Sequence, residues 1–275
     1  MNIRLLTDAD FEKLFYTFKM AFTNYEVKLQ PTEEEFAYRI QKKLQYNRNI
    51  SAGCFDGDQM TGFILHASNV YQGIPTAYNG GTGVLPGFRN QKIAEQMYAF
   101  LIPKIQSEFL ARILLEVIEQ NEKAISLYEK IGFTVKRKFK CYKMIQPITS
   151  TYGGTVTEGN ISNVNFNFND FEPSFLDSSA QLKLGDERVL LARQEDEVTG
   201  YIIFQPHLGR ISQMAVDRIH RQNGIGEALL AAAQSESKKP LTIMNIPEDE
   251  LGFDAFLTRA GFQNQVNQYE MELII

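Results

Sequence analysis

Cysteine is nearly absent from this chain. Only Cys54 and Cys141 occur in 275 residues, too few for a disulfide framework and without metal-ligand spacing. The three histidines, His66, His207 and His220, are scattered, so no metal site is expected. An excess of positive charge is missing as well. A formal net charge of −5 gives no electrostatic reason to expect nucleic acid or an anionic membrane surface as partner. No apolar run reaches the roughly 18 residues of a membrane span, and the opening MNIRLLTDADFEK has no signal-type apolar core. The expectation is therefore a soluble, unexported protein of a reducing cytoplasm. What the chain does have is 44% hydrophobic residues and enough length for two domains.

The first 22 residues read as a short strand, a polar helix start at Thr7 and Asp8, and a helix with Phe11, Leu14, Phe15, Phe18 and Phe22 on one face. Thr32 and Glu35 form a capping box ahead of a second helix bearing Phe36, Ile40 and Leu44. SAGCFDGDQMTGFILHA follows as a hairpin turning at DGDQ, and TAYNGGTGV as the next strand. Ile93, Met97, Phe100, Leu101 and Ile105 lie at helical spacing. ARILLEVIE then reads as a buried strand and NEKAISLYEKIGF as a helix closed by Gly132. Strands alternating with helices indicate an α/β or mixed α+β sheet.

Residues 147–160 are rich in Pro, Gly, Ser and Thr and are expected to be a linker. Beyond it the pattern restarts. Thr61-Gly62-Phe63-Ile64 matches Thr199-Gly200-Tyr201-Ile202, RNQKIAEQMY (89–98) matches RQNGIGEALL (221–230), and YEKIGF matches LTRAGF. Features matched in the same order over a long period mean two homologous domains, 1–146 and 161–275. The second copy opens in a strand-like or irregular stretch and is expected to lack one front helix.

Each copy places a polar loop between a strand and a helix. Such a loop offers unpaired backbone N–H groups at the positive end of the helix dipole, an anion site suited to phosphate. In the second copy Gly224 and Gly226 allow close approach of the backbone, and Arg221, Gln222 and Asn223 can add side-chain contacts. In the first copy Lys92 stands where Gly224 stands, as a decayed glycine or as a phosphate partner.

Val-x-x-x-x-Arg-x-x-Gly-x-Gly/Ala at a helix start, followed by a strand and then Asn-x-x-Ala-x-x-x-Tyr-x-x-x-Gly-Phe, resembles the GNAT superfamily of acyl-CoA N-acyltransferases. The first copy has Gly83-Val84-Leu85, Arg89 to Ala94, and Asn121, Ala124, Tyr128, Gly132 and Phe133. The second has Met214-Ala215-Val216 and the full loop Arg221 to Gly226; Asn245 is offered as the partner of Asn121, and Leu257 stands where Tyr128 stands. The resemblance implies an α/β (α+β) fold, each domain a mixed, mostly antiparallel central sheet flanked by helices.

It also implies acetyl-CoA as co-substrate. Its pyrophosphate would lie on Arg89, Asn90, Gln91, Lys92, Ile93 and Ala94, or on Arg221, Gln222, Asn223, Gly224, Ile225 and Gly226. Its pantetheine arm would lie along Val84 and Leu85, or Met214, Ala215 and Val216, with Asn121 bonding the arm or a bridging water. The backbone N–H near Leu85 would stabilise an oxyanion, and Tyr128 would protonate the departing thiolate.

Glu116, inside an apolar strand, is either a base facing a cleft or an outward-pointing residue. Tyr25, Glu26 and Asn79 are the acceptor-contact candidates. The alternating Lys136, Lys138 and Lys140 read as the solvated face of a strand. The expected activity is acetyl transfer to a primary amine of a small molecule or peptide, carried out in the first domain, with a homodimer admissible. The rival expectations are a non-catalytic acyl-CoA-binding scaffold, and catalysis in the second domain.

Overall fold

The computed structural model describes residues 1–23, 30–183, 187–195 and 197–275. They fall into two units: Met1–Val117 with Asn121–Lys136 and Glu270–Ile275, and Ile118–Gln120 with Arg137–Tyr269.

The N-terminal unit begins with β1 (Asn2–Leu5), a 3-10 turn and α1 (Phe11–Ala21). α2 (Glu33–Tyr38) starts at the expected capping box: Thr32 accepts from Glu35 N at 3.2 Å, and the Glu35 carboxylate accepts from Thr32 N at 3.0 Å. Then come β2 (Ala52–Asp56), β3 (Gln59–Tyr71), β4 (Ile74–Val84), α3 (Ile93–Ser107), β5 (Arg112–Ile118), α4 (Glu122–Ile131) and the start of β6 (Thr134–Met144). The strand order is β1-β2-β3-β4-β5 and then the C-terminal segment Glu270–Ile275. β4–β5 is parallel, and the ladders from β1 to β4 are antiparallel.

The C-terminal unit contains the rest of β6, then β7 (Thr155–Glu158), α5 (Ser179–Leu182), β8 (Arg188–Gln194), β9 (Glu197–Gln205), β10 (Arg210–Val216), α6 (Ile225–Glu236), β11 (Thr242–Pro247), α7 (Leu251–Arg259) and β12 (Phe262–Ile274). Its order is β12-β6-β11-β10-β9-β8-β7, with β10–β11 parallel. Three boundaries differ from the sequence expectation. Residues 118–120 and 137–146, expected in the first domain, fall in the C-terminal unit, where β6 pairs with β11. β7 lies within the expected linker 147–160, because its Thr and Val residues find an antiparallel partner in β8. The end of β12 belongs to the N-terminal unit, where Arg112 Nη1 meets Glu272 Oε1 at 2.8 Å.

Gly62 and Gly200 show why the repeat recurs. A Cβ on Gly62 would lie 3.2 Å from Ile93 Cγ2 and 3.1 Å from the Gly83 carbonyl; on Gly200 it would lie 3.1 Å from Ile225 Cγ2 and 3.0 Å from the Ala215 carbonyl. In each unit the first turn of the loop's helix therefore rests on bare backbone. α3 buries Ile93, Met97, Leu101 and Ile105, and α6 buries Ile225, Leu229, Leu230 and Ala233. Each large apolar side chain so buried contributes about 1.5–3 kcal/mol relative to exposure. That packing fixes where both helices begin.

Candidate active site

The two strand-to-helix loops share one backbone conformation. Asn90 and Lys92 have φ of 63° and 57°; Gln222 and Gly224, at the matching positions, have 64° and 79°. Lys92 thus holds the left-handed geometry that glycine takes more easily. The first-turn amides of α3 and α6 have no partner within their helix, as at any helix start.

Other parts of the loops act differently from expectation. Arg89 and Arg221, expected to add anion contacts, fasten the framework. Arg89 donates from Nε to the Val84 carbonyl at 3.2 Å and from Nη2 to the Ala21 carbonyl at 2.8 Å. Arg221 repeats this with the Val216 carbonyl at 3.0 Å and the Phe168 carbonyl at 3.5 Å. Gly226, expected to admit an anion, makes room for α7, since a Cβ there would lie 2.8 Å from the Phe256 ring. Of the backbone N–H groups near Leu85, expected at an oxyanion, that of Leu85 itself donates to the Thr61 carbonyl at 2.9 Å and so points into the sheet.

β4 and β5 keep register from Thr76↔Arg112 to Asn79↔Leu115. Glu116 is the next residue of β5, half-buried, and the Tyr78 hydroxyl of β4 donates to its Oε2. Of the two readings of Glu116, the structure has it partnered across the parallel pair where the register ends. Sequence reasoning missed Tyr78. The available signal was a polar-tipped aromatic inside the strand TAYNGGTGV, adjacent to a strand that carries a lone carboxylate.

Asn79, expected at the acceptor, is only 5% exposed and is held within the fold. Its Oδ1 accepts from Gly81 N at 2.9 Å, and its Nδ2 donates to Thr82 Oγ1 at 2.7 Å and to the Tyr98 hydroxyl. These bonds pin the bulge where β4 shifts register against β3 between Leu65 and His66. Burial pushes the Tyr98 phenol well up, with Tyr128 adding to the shift. Tyr98, Tyr128 and Phe133 pack edge-to-face, with centroids 5.6–6.3 Å apart. Tyr128 lies on α4 and is 8% exposed. Asn121 caps that helix, its Oδ1 accepting from Ala124 N at 3.3 Å, and Gly132 ends it at φ 113°. Tyr25 and Glu26 lie outside the described residues.

The C-terminal unit has no such phenol on α7. Leu257, fully buried, stands seven residues after the N-cap Glu250, as Tyr128 stands after Asn121. Asn245, offered as the partner of Asn121, instead sits inside β11 at φ 60°. Val84 and Val216 pair with Gly62 and Gly200, and Met214 and Ala215 with Ile202 and Tyr201, so each of these strands is fixed along one edge. Among the described residues no group of three or more His, Cys, Asp or Glu could hold a metal ion, and no helix is long and apolar enough to cross a membrane.

Residues 12–133 match the model of the acetyltransferase (GNAT) family, and residues 185–264 that of the acetyltransferase (GNAT) domain. The chain is 36% identical over 87 residues to N-alpha-acetyltransferase 30 of Dictyostelium discoideum, covering 31% of this chain and 47% of that protein. It thus spans about half the length of that curated relative. In fold it is similar to a tandem GNAT protein from the clavulanic acid biosynthesis pathway, with TM-score 0.75, 13% identity, and coverage of 99% of this chain and 98% of that one. It is similarly close to a GCN5-related N-acetyltransferase from Sphaerobacter thermophilus, with TM-score 0.73, 13% identity and coverage of 99% and 95%.

Proposed function

Since the chain belongs to the GNAT acetyltransferase family, with two family domains in one polypeptide, we propose that its N-terminal unit transfers an acetyl group from acetyl-CoA to a primary amine. The observation that carries this reading is the Tyr78–Glu116 pair at the end of the β4–β5 register, in the same unit as Tyr128. The C-terminal unit has Leu257 at the matching position.

The residues fit the co-substrate. The exposed Asn90, Gln91 and Lys92, with the amides that open α3, suit a pyrophosphate. The edge of β4 beyond Asn79, which has no register partner in β5, suits an extended amide-bearing arm. Acetyl-CoA supplies a thioester carbonyl. Glu116, oriented by Tyr78, takes the proton that the amine must lose before its nitrogen bonds to the carbonyl carbon. Tyr128 gives its phenolic proton to the departing sulfur as the C–S bond breaks, and regains one from solvent. A phenol is a suitable acid for a departing thiolate.

Free-thiol release from acetyl-CoA across an amine panel tests the reading. The panel includes peptide N-termini, since the Dictyostelium relative is an N-alpha-acetyltransferase. On the best amine, Tyr128→Phe is expected to lower turnover about 10²- to 10⁴-fold with little change in acetyl-CoA affinity. Unchanged turnover removes Tyr128 from the chemistry, and no thiol release with any amine favours a binding role.

A further inference from the structure

The C-terminal unit holds a segment of its own chain across the place where its two parallel strands part. Register partners between β10 and β11 are Arg210↔Thr242 and Ile211↔Ile243. Just beyond, Asn169 Nδ2 donates to Gln213 Oε1 at 3.0 Å while its Oδ1 accepts from the Tyr201 hydroxyl. Gln213 Nε2 donates to the Asp177 carbonyl, and Asn245 Nδ2 donates to Ser174 Oγ at 3.1 Å. Arg210 grips both oxygens of Asp177, at 2.8 and 2.7 Å. Gln213, Asn245, Ser174 and Asp177 are each more than nine-tenths buried. In the N-terminal unit, by contrast, a side chain of β4 meets one of β5 at the corresponding place, as Tyr78 meets Glu116.

In the loop ahead of α6, Gln222 and Asn223 are exposed, but Gly224 is partly covered. A Cβ on Gly224 would lie 3.7 Å from Tyr152 Cβ and 3.9 Å from Tyr152 N. Tyr152 is fixed there by its hydroxyl, which donates to the Arg193 carbonyl at 3.2 Å, and Ile148 N donates to Gln234 Oε1 of α6 at 3.0 Å. Asp170 adds charge of the wrong sign for a phosphate. Its carboxylate meets Arg221 at 3.0 Å and Arg218 at 3.3 Å.

We infer that Tyr152 and Asn169–Asp177 form a built-in strap laid across the coenzyme and acceptor positions of the C-terminal unit, so that this unit takes no acyl-CoA. A pantetheine arm between β10 and β11 would have to displace the segment, separating Arg210 from Asp177 and leaving buried amides without partners. A pyrophosphate at Gly224 would meet the Tyr152 backbone and the Asp170 carboxylate. The strap does not depend on the reaction proposed for the N-terminal unit.

Calorimetric titration of the full chain with acetyl-CoA, with hydrogen exchange on the same sample, is the test. One equivalent is expected, with exchange slowed at residues 89–94 and unchanged at 221–226, and with binding abolished by Asn90→Glu with Gln91→Glu. Two equivalents, or slowed exchange at 221–226, would overturn the strap. No binding at all would sink the acetyltransferase reading while still agreeing with a closed C-terminal unit. A second variant tests the cover directly in the absence of acetyl-CoA. Tyr152→Gly with Asp170→Asn should speed exchange at residues 224–226 about tenfold, and unchanged exchange there would also overturn the proposal.

Discussion

In the N-terminal unit the loop Arg89–Ala94 leads into α3 with Asn90, Gln91 and Lys92 exposed. In the C-terminal unit the loop Arg221–Gly226, with the same left-handed positions, has Tyr152 set against its glycine. The better loop by sequence is the one whose glycine is partly covered, although Gln222 and Asn223 are exposed. A glycine-rich stretch records what a backbone could approach, but occupancy depends on what the rest of the chain lays over it. Here that is a segment with no helical or strand periodicity. The same contrast holds at the parting strands. One unit joins them with a phenol and a carboxylate of the kinds that move protons, and the other with amides and an ion pair that hold a segment in place.

The largest expected effect comes from cutting the strap's anchor. Arg210→Ala leaves Asp177, whose side chain is 3% exposed, buried without its bidentate cation. Loss of one partner of a buried pair costs about 3–5 kcal/mol. Denaturant unfolding should show that loss in the C-terminal unit, with the 169–177 amides exchanging first. A loss below about 1 kcal/mol would mean that the segment is held by something other than this pair.

A second contrast lies in the hairpins that precede the loops. Four residues after Gly62 comes His66; four after Gly200 comes Phe204. His66 is fully buried, its Nδ1 lies 2.7 Å from the Ile50 carbonyl, and its Nε2 has no hydrogen-bond partner. Burial depresses its pKa from 6.5 to about 4. The unfolded chain therefore takes up a proton near pH 6.5 that the folded unit refuses until about pH 4. Stability from this residue is full above pH 6.5 and falls as the pH drops toward 4, on the order of 2 kcal/mol by pH 5. Melting followed from pH 7 to pH 5 should show the N-terminal unit loosening first. His66→Phe, which copies the C-terminal unit, should flatten that dependence. An equal acid response in both units would assign the slope elsewhere.

What the sequence made legible is what depends on neighbours along the chain. The capping box at Thr32 and Glu35, the helix from Asn121 to Gly132, and the strand-loop-helix of each copy all follow from caps, turn residues and spacing within one helix or hairpin. What it hid depends on partners far along the chain. The roles of Asn79, Arg89 and Gly226 were set by Tyr98, Ala21 and Phe256. The N–H of Leu85 itself turns into the sheet because the end of a ladder decides which way an N–H points. Tyr78 acquires its meaning only when β5 lies parallel beside β4.

The smallest expected effect sharpens the loop comparison most directly. Lys92 at φ 57° and ψ 24° holds a conformation costing a residue with a Cβ about 1 kcal/mol, so Lys92→Gly should raise the stability of the N-terminal unit by about that amount. The reverse change, Gly224→Lys, should cost the C-terminal unit about 1 kcal/mol for the backbone alone, and its side chain must also find a way past Tyr152. Acetyl-CoA affinity separates the two meanings of Lys92. Its exposed side chain stands at the start of α3, where we place the pyrophosphate, and a charged contact of that kind contributes about 1.5–3 kcal/mol. Lys92→Gly is thus expected to bind acetyl-CoA at least about tenfold more weakly while melting at a higher temperature. If the variant instead binds equally well, Lys92 is a glycine position that drifted, and the amides alone hold the phosphate.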